Sequence, residues 1–198
     1  MALALNTFMQ TLSDSRVRYI LDANSSQFTV QAFGEGPTGQ PDLRLRFAVR
    51  EFTGEAGMLG ARLETMTLEV AFQLASLAMI DEARDEIRRP IENIIFEKAL
   101  ETKKYPTAEF KSSDVVAKPV ADTRYRVRIA GRFILHGRGN QHSFDAQVVA
   151  SQDSLRLYGD FNLRQTDYGI RINSVADGIV KIENELKVVF YCVARKQE

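Results

Sequence analysis

Apolar and polar residues alternate with a period of two along most of this chain, a spacing that sends successive side chains to opposite faces of an extended strand. Met66, Leu68, Val70, Phe72 and Leu74 share one face, and Thr65, Thr67, Glu69 and Gln73 share the other. Tyr125, Val127, Ile129, Phe133 and Leu135 alternate with Arg124, Arg126, Arg128 and Arg132. The same pattern holds for Leu43, Leu45, Phe47 and Val49 against Arg44, Arg46 and Arg50. It returns at Leu155, Leu157, Phe161 and Leu163, and again at Val180, Ile182, Leu186, Val188, Phe190 and Cys192. Shorter examples are Val17, Tyr19 and Leu21, then Phe28, Val30 and Ala32, then Ala108 and Phe110, then Phe144, Ala146 and Val148.

One segment departs from this period. Between residues 81 and 102, Ile87, Ile91, Ile94, Ile95 and Ala99 recur at helical intervals among charged residues. Pro90 suits a first helical turn and disrupts a helix interior, so the spacing predicts two helical pieces, the longer starting near Pro90. The Ile91, Ile94 and Ile95 stripe reads as a packing face that covers the sheet. Glycine and asparagine cluster at 34–39, 137–140 and 173–178, where turns are expected. With no linker in view, residues 1–198 read as one all-β domain, with 1–15 as a terminal segment. One-sided alternation fits a sandwich or a closed antiparallel barrel, and strands this long suit a barrel of about eight.

Composition narrows the functional classes. At 198 residues with 44% hydrophobic and 26% charged positions, the chain can bury a substantial core. Lys and Arg total 26 and so do Asp and Glu, so no overall field favours nucleic acid or anionic lipid. The arginines opposite Tyr125 and Phe133 read as a solvated face, because the aromatic rings that would stack on bases point the other way. Cys192 is the single cysteine, which excludes an internal disulfide and a multi-thiolate metal site. No apolar run approaches the roughly 20 residues of a membrane-spanning helix. The opening residues lack the basic start of a secretion signal, so a cytoplasmic location is expected, or a periplasmic one if a leader precedes this sequence.

Candidate chemistry is sparse. Gly34, Gly36 and Gly39 have the spacing of a dinucleotide loop, but Pro37, Pro41 and an alternating strand follow where a helix is required, so they read as a turn. His136 and His142, the two histidines, flank an expected hairpin and read as structural rather than metal-binding or catalytic. Cys192 shares the face of Val188 and Phe190 and reads as an inert buried thiol. No catalytic residue, metal ligand or cofactor is indicated. The inward face collects Phe28, Phe47, Phe72, Phe110, Tyr125, Phe133, Phe144, Phe161, Val188 and Phe190. These side chains either interlock as a solid core or line a cavity, and periodicity alone leaves both open.

Three ordered stretches are similar to the YceI-like family: YILDANSSQFTVQAFGEG at 19–36, FEKALETKKYPTAEFKSS at 96–113, and the run from Gly131 through LHG at 135–137 and FNLRQTDYGIRINSV at 161–175 to KIENELKVVF at 181–190. The resemblance implies an extended lipocalin-like barrel with a helix laid against it. It also implies a tunnel for a polyisoprenoid, an isoprenoid quinone or a similar lipid, which would make the ten inward side chains a ligand lining. A homodimer is a further expectation from it. The alternative is a filled-core barrel serving as an interaction or structural module.

Overall fold

The computed structural model describes residues 15–35, 43–175 and 180–197. Its strands are β1 (Arg16–Leu21), β2 (Gln27–Glu35), β3 (Leu43–Val49), β4 (Phe52–Leu59), β5 (Arg62–Gln73), β6 (Leu77–Met79), β7 (Thr107–Ala121), β8 (Arg124–Leu135), β9 (Arg138–Ala150), β10 (Ser154–Arg164), β11 (Ser174–Val175) and β12 (Val180–Lys196). All pairings are antiparallel, and the ring β1, β4, β5, β7, β8, β9, β10, β12 closes on itself as an eight-stranded barrel. The closing seam pairs Tyr19 with Lys196 and Leu21 with Ala194. Closure satisfies backbone groups that an open sheet would leave at its edges.

Three staves of this barrel are broken at the same level. β1 and β2 form one, β3 and β4 the next, β5 and β6 the third, because β4 pairs with β1 and β5 while β3 pairs with β2 and β6. The breaks lie side by side and are stitched by polar groups. The Ser76 hydroxyl accepts from the amides of Arg50 at 3.2 Å and Glu51 at 2.9 Å, and it donates to the Gln73 carbonyl at 2.7 Å. In the first break, the Asp22 carboxylate accepts from Ser25 Oγ at 2.9 Å and Arg195 Nε at 2.8 Å. Those bonds, with the Arg195 one leading, hold the Asp22 carboxyl below its usual range. The resulting crease lets β2, β3, β6 and β12 extend the barrel into an upper lobe.

The helix differs from the sequence expectation. Among the described residues there is one α-helix, α1 (Asp85–Ile94), which starts five residues before Pro90 and carries that proline inside it. Proline removes the amide that would bond to the Glu86 carbonyl, and the helix is kept by what it buries. Ile91 is 2% exposed and sits with Ala32, Leu45, Phe47, Met79 and Val175, while Ile94 and Ile95 pack beside it. Glu92 Oε1 accepts from the Met79 amide at 3.0 Å. The division into two pieces falls at Ile95–Ala99, a π-helical turn in which the Leu100 amide reaches back five residues to the Ile95 carbonyl at 2.8 Å. The stripe thus covers the upper lobe.

Gly34 lies within β2, where a Cβ would overlap the Lys181 carbonyl. The remainder of the expected turn at 36–39, and part of the one at 173–178, lie outside the described residues. The β8–β9 hairpin turns through His136 (φ 51°) and Gly137 (φ 71°), with Leu135 opposite Arg138. A side chain at Gly137 would meet the Tyr105 ring at 2.7 Å. Two positive φ values in succession match the right-handed twist of the flanking strands.

An apolar cavity and a slot in the barrel wall

The lower interior is solid. Val127, Val148 and Leu155 have no exposed surface and fill the space where β8, β9 and β10 pair closely. Tyr125 belongs to this floor: it pairs with Val148 and Pro119 and packs against the core without reaching the space above.

Above the floor lies an internal cavity of about 210 Å³ whose surface is made of apolar atoms. For scale, an engineered apolar cavity of roughly 150 Å³ stays dry and takes up benzene or xenon. The other nine inward residues expected from the alternation all line it. Phe28 packs edge-on against Phe72 and Phe52, both with ring centres at 4.8 Å. Phe190 links that group to Phe144 at 5.6 Å, and Phe144 stacks on Phe161 at 5.0 Å with an interplanar angle of 23°. Phe110 lies 5.4 Å from Phe144, and Phe133 lies 6.4 Å from Phe161. Phe47 and Val188 contribute from β3 and β12.

Other lining groups carry a weaker sequence signal. Ile95 arrives from the π-helical turn, and Ile170, Ile172 and Val175 come from the segment after β10, where no period operates. Gln165 is 6% exposed at the lining, with its amide turned away to donate to the Glu183 carbonyl at 2.7 Å. Cys192 also lines the cavity, and burial pushes its thiol up to about 12. At neutral pH that group is an uncharged apolar side chain.

The wall is incomplete on one side. β9 and β10 pair only from Leu155 opposite Ala150 to Gly159 opposite Ala146. Beyond that point β9 continues along β8 to Arg138, and β10 continues along β12 to Arg164. The two edges diverge into a slot lined by His142, Phe144, Asp145, Asp160, Phe161 and Asn162 among others. Gly159 sits at its apex, where a Cβ would press on the Asp145 carbonyl at 2.9 Å and the Phe190 ring at 3.0 Å.

The two histidines part company here. His136 occupies the hairpin, with Nε2 2.7 Å from Glu101 Oε2, Nδ1 3.2 Å from the Tyr168 carbonyl, and its ring 4.5 Å from that of Tyr105. His142, expected beside the same turn, is instead in mid-strand and in phase with inward-facing Phe144. Its ring lies edge-on to Phe161 at 4.9 Å. Its Nε2 is buried without a hydrogen-bond partner among the described residues, and burial lowers its proton affinity.

Nothing else among the described residues gathers reactive groups. No set of three or more His, Cys, Asp or Glu side chains is placed to hold a metal ion. Arg124, Arg126, Arg128 and Arg132 are exposed, and Arg128 grips Asp145 through two bonds of 2.9 and 3.1 Å. No helix among the described residues is long and apolar enough to cross a membrane.

A closed eight-stranded antiparallel barrel with a helix over one end and an apolar interior defines a lipocalin-like class. The family model of the YceI-like domain matches residues 19–194, and the chain belongs to the YceI-like family. Among solved structures it is similar to BcnA from Burkholderia cenocepacia, at TM-score 0.65 and 16% identity over 87% of this chain and 98% of that one. A polyisoprenoid binding domain from Saccharophagus degradans, implicated in plant cell wall breakdown, matches at TM-score 0.66 and 13% identity over 90% and 98%. The YCEI protein of Campylobacter jejuni matches at TM-score 0.58 and 13% identity over 77% and 85%. A comparison with curated proteins returned no match.

Proposed function

We propose that this protein is a non-catalytic carrier that holds a long apolar molecule, a polyisoprenoid, an isoprenoid quinone or a similar lipid, in its barrel. The observation that carries this reading is the cavity of about 210 Å³ with no polar surface of its own. Such a space gains nothing from water, whose hydrogen bonds would go unmet, and favours hydrocarbon in proportion to the area covered. The nine lining side chains Phe28, Phe47, Phe72, Phe110, Phe133, Phe144, Phe161, Val188 and Phe190 would make that contact. Membership of the family and the likeness to a polyisoprenoid binding domain support the ligand class. The solid floor supports entry from above or from the side.

At about 0.3 kcal/mol per heavy atom, a ligand of ~20 carbons gains ~6 kcal/mol and binds at tens of micromolar, whereas ~40 carbons gain ~12 kcal/mol and bind at nanomolar levels. A ligand that survives purification is therefore a long one. Native mass spectrometry after a high-salt wash, followed by solvent extraction, tests this. Apolar contact resists salt, so the expected result is a retained isoprenoid or fatty chain. A homogeneous unliganded mass, with no uptake of added polyprenol or quinone, would replace the carrier by the filled-core interaction barrel.

A further inference from the structure

The slot between β9 and β10 is separated from the cavity by one pair of rings. Phe144 and Phe161, stacked at 5.0 Å, line both spaces. Each ring is only half-buried and faces the slot across a region where no ladder bonds tie the two strands together. Rotation of either ring would join the spaces without breaking a backbone hydrogen bond.

The polar groups around the slot are mostly engaged. Arg128 holds Asp145, Lys187 holds Asp160 at 3.0 Å, Tyr158 donates to Gln147 at 2.5 Å, and Asn162 donates to Glu185 at 2.8 Å. His142 is different. Its Nε2 is one of two buried side-chain polar atoms with no partner among the described residues; the other, Arg88 Nε, belongs to α1. A buried nitrogen without a partner is costly unless something supplies one.

We propose that the slot is the head-group site of the ligand: His142 hydrogen-bonds a neutral oxygen, a hydroxyl or carbonyl, at the end of an apolar chain that passes between Phe144 and Phe161 into the cavity. This rests on the carrier reading above and assigns the end of the molecule that the apolar cavity leaves unspecified. A neutral oxygen fits better than a phosphate or carboxylate. Burial favours the uncharged imidazole, Arg128 and Lys187 are already paired with Asp145 and Asp160, and the slot's other cation, Arg126, stands exposed in solvent. An uncharged imidazole can donate to a carbonyl or accept from a hydroxyl through Nε2, according to its tautomer.

The test compares geranylgeraniol, the hydrocarbon lacking only its hydroxyl, and geranylgeranyl phosphate, on the full chain and on His142→Phe. Wild type is expected to bind the alcohol about 5- to 10-fold more tightly than the hydrocarbon, a usual value for one hydrogen bond, and the phosphate less well than the alcohol. His142→Phe should bind alcohol and hydrocarbon equally, with the hydrocarbon affinity kept as proof that the barrel is intact. A preference that persists in the variant, or is missing from wild type, overturns the site. Tighter binding of the phosphate replaces the neutral head by an anion. A second measurement needs no variant. The chain has two histidines, so nitrogen NMR of the rings should show His142 Nε2 shifting on addition of alcohol and not of hydrocarbon, with His136 unmoved. An unshifted His142 with alcohol bound also overturns the site. If wild type takes up none of the three, the carrier reading falls and takes this one with it, whereas uptake without preference removes the head-group site alone.

Discussion

Val127 has no exposed surface and its neighbour Arg126 stands in solvent, so one step along β8 moves a side chain from the floor to water. Val127→Asp places a carboxylate among Val148 and Leu155 with nothing to pair it. Several kcal/mol of destabilisation is expected, enough to abolish the thermal transition, while Arg126→Ala should change stability by less than about 0.5 kcal/mol. Circular dichroism melts of the two variants check the pair. His142 supplies a pH signature. Burial lowers its proton affinity in the folded protein, so above the ordinary imidazole value of ~6.5 folded and unfolded chains are both neutral there and nothing is lost. As pH falls through that value the unfolded chain takes up the proton first, and stability declines until the folded ring titrates as well. Melts of wild type should therefore fall between pH ~7.5 and ~5.5 relative to those of His142→Phe, and converge at the upper end. Val127 sits on the face its alternation predicts, and His142, expected at the turn, continues the phase of Phe144, Ala146 and Val148. What alternation lacks is height along the barrel, which puts Tyr125 in the floor and not the cavity, and knowledge of where neighbouring strands part, which sets His142 at a slot.

Elements were legible where the period was uninterrupted. β8 and β12 are plain in the sequence. β4 is diluted by Gly54 and Gly57, the latter placed where a Cβ would crowd Thr67 at 2.9 Å, leaving Phe52, Ala56 and Met58 too thinly spaced to stand out. β7 conceals its length differently. A bulge between Ser112 and Asp114 inserts a residue, so the inward set passes from Ala108 and Phe110 to Val115 and Ala117, and the period appears to stop. Pro90 is tolerated inside α1 because the burial of Ile91 outweighs its low helix propensity, and propensity alone carries no sign of that burial. Ile91→Ala should cost about 2 to 4 kcal/mol, since its side chain is enclosed by the upper lobe. Because α1 meets the barrel through this satellite cluster, the loss is expected to be local. Hydrogen exchange should speed up across 85–99 and at Met79 while the amides of β8 and β9 stay protected.

For the molecule as a whole, the open question from sequence was whether eight inward-facing phenylalanines meet or stand apart. Periodicity reports a face and not the distance between walls. The structure does both, closing below and standing open above, where the crease across three staves widens the upper lobe. Filling that space should therefore exchange ligand for stability. Val188→Phe, at an 8% exposed lining position, is expected to raise the melting temperature of lipid-free protein and to reduce uptake of added polyprenol, each measurable on one preparation. A fall in both would show that no room remains beside Val188. The seam between β1 and β12 carries a different consequence, one for the order of events in biosynthesis. Its partners are the first and last of the described strands, so β1 must wait until β12 has left the ribosome. Until then the nascent sheet is a curved ribbon with two unmatched borders and a greasy concave side, the kind of species that chaperones retain and that self-associates when they do not. A chain stopped short of β12 is accordingly expected to partition into inclusion bodies to a greater extent than the full chain, which comparison of the soluble and pelleted fractions checks.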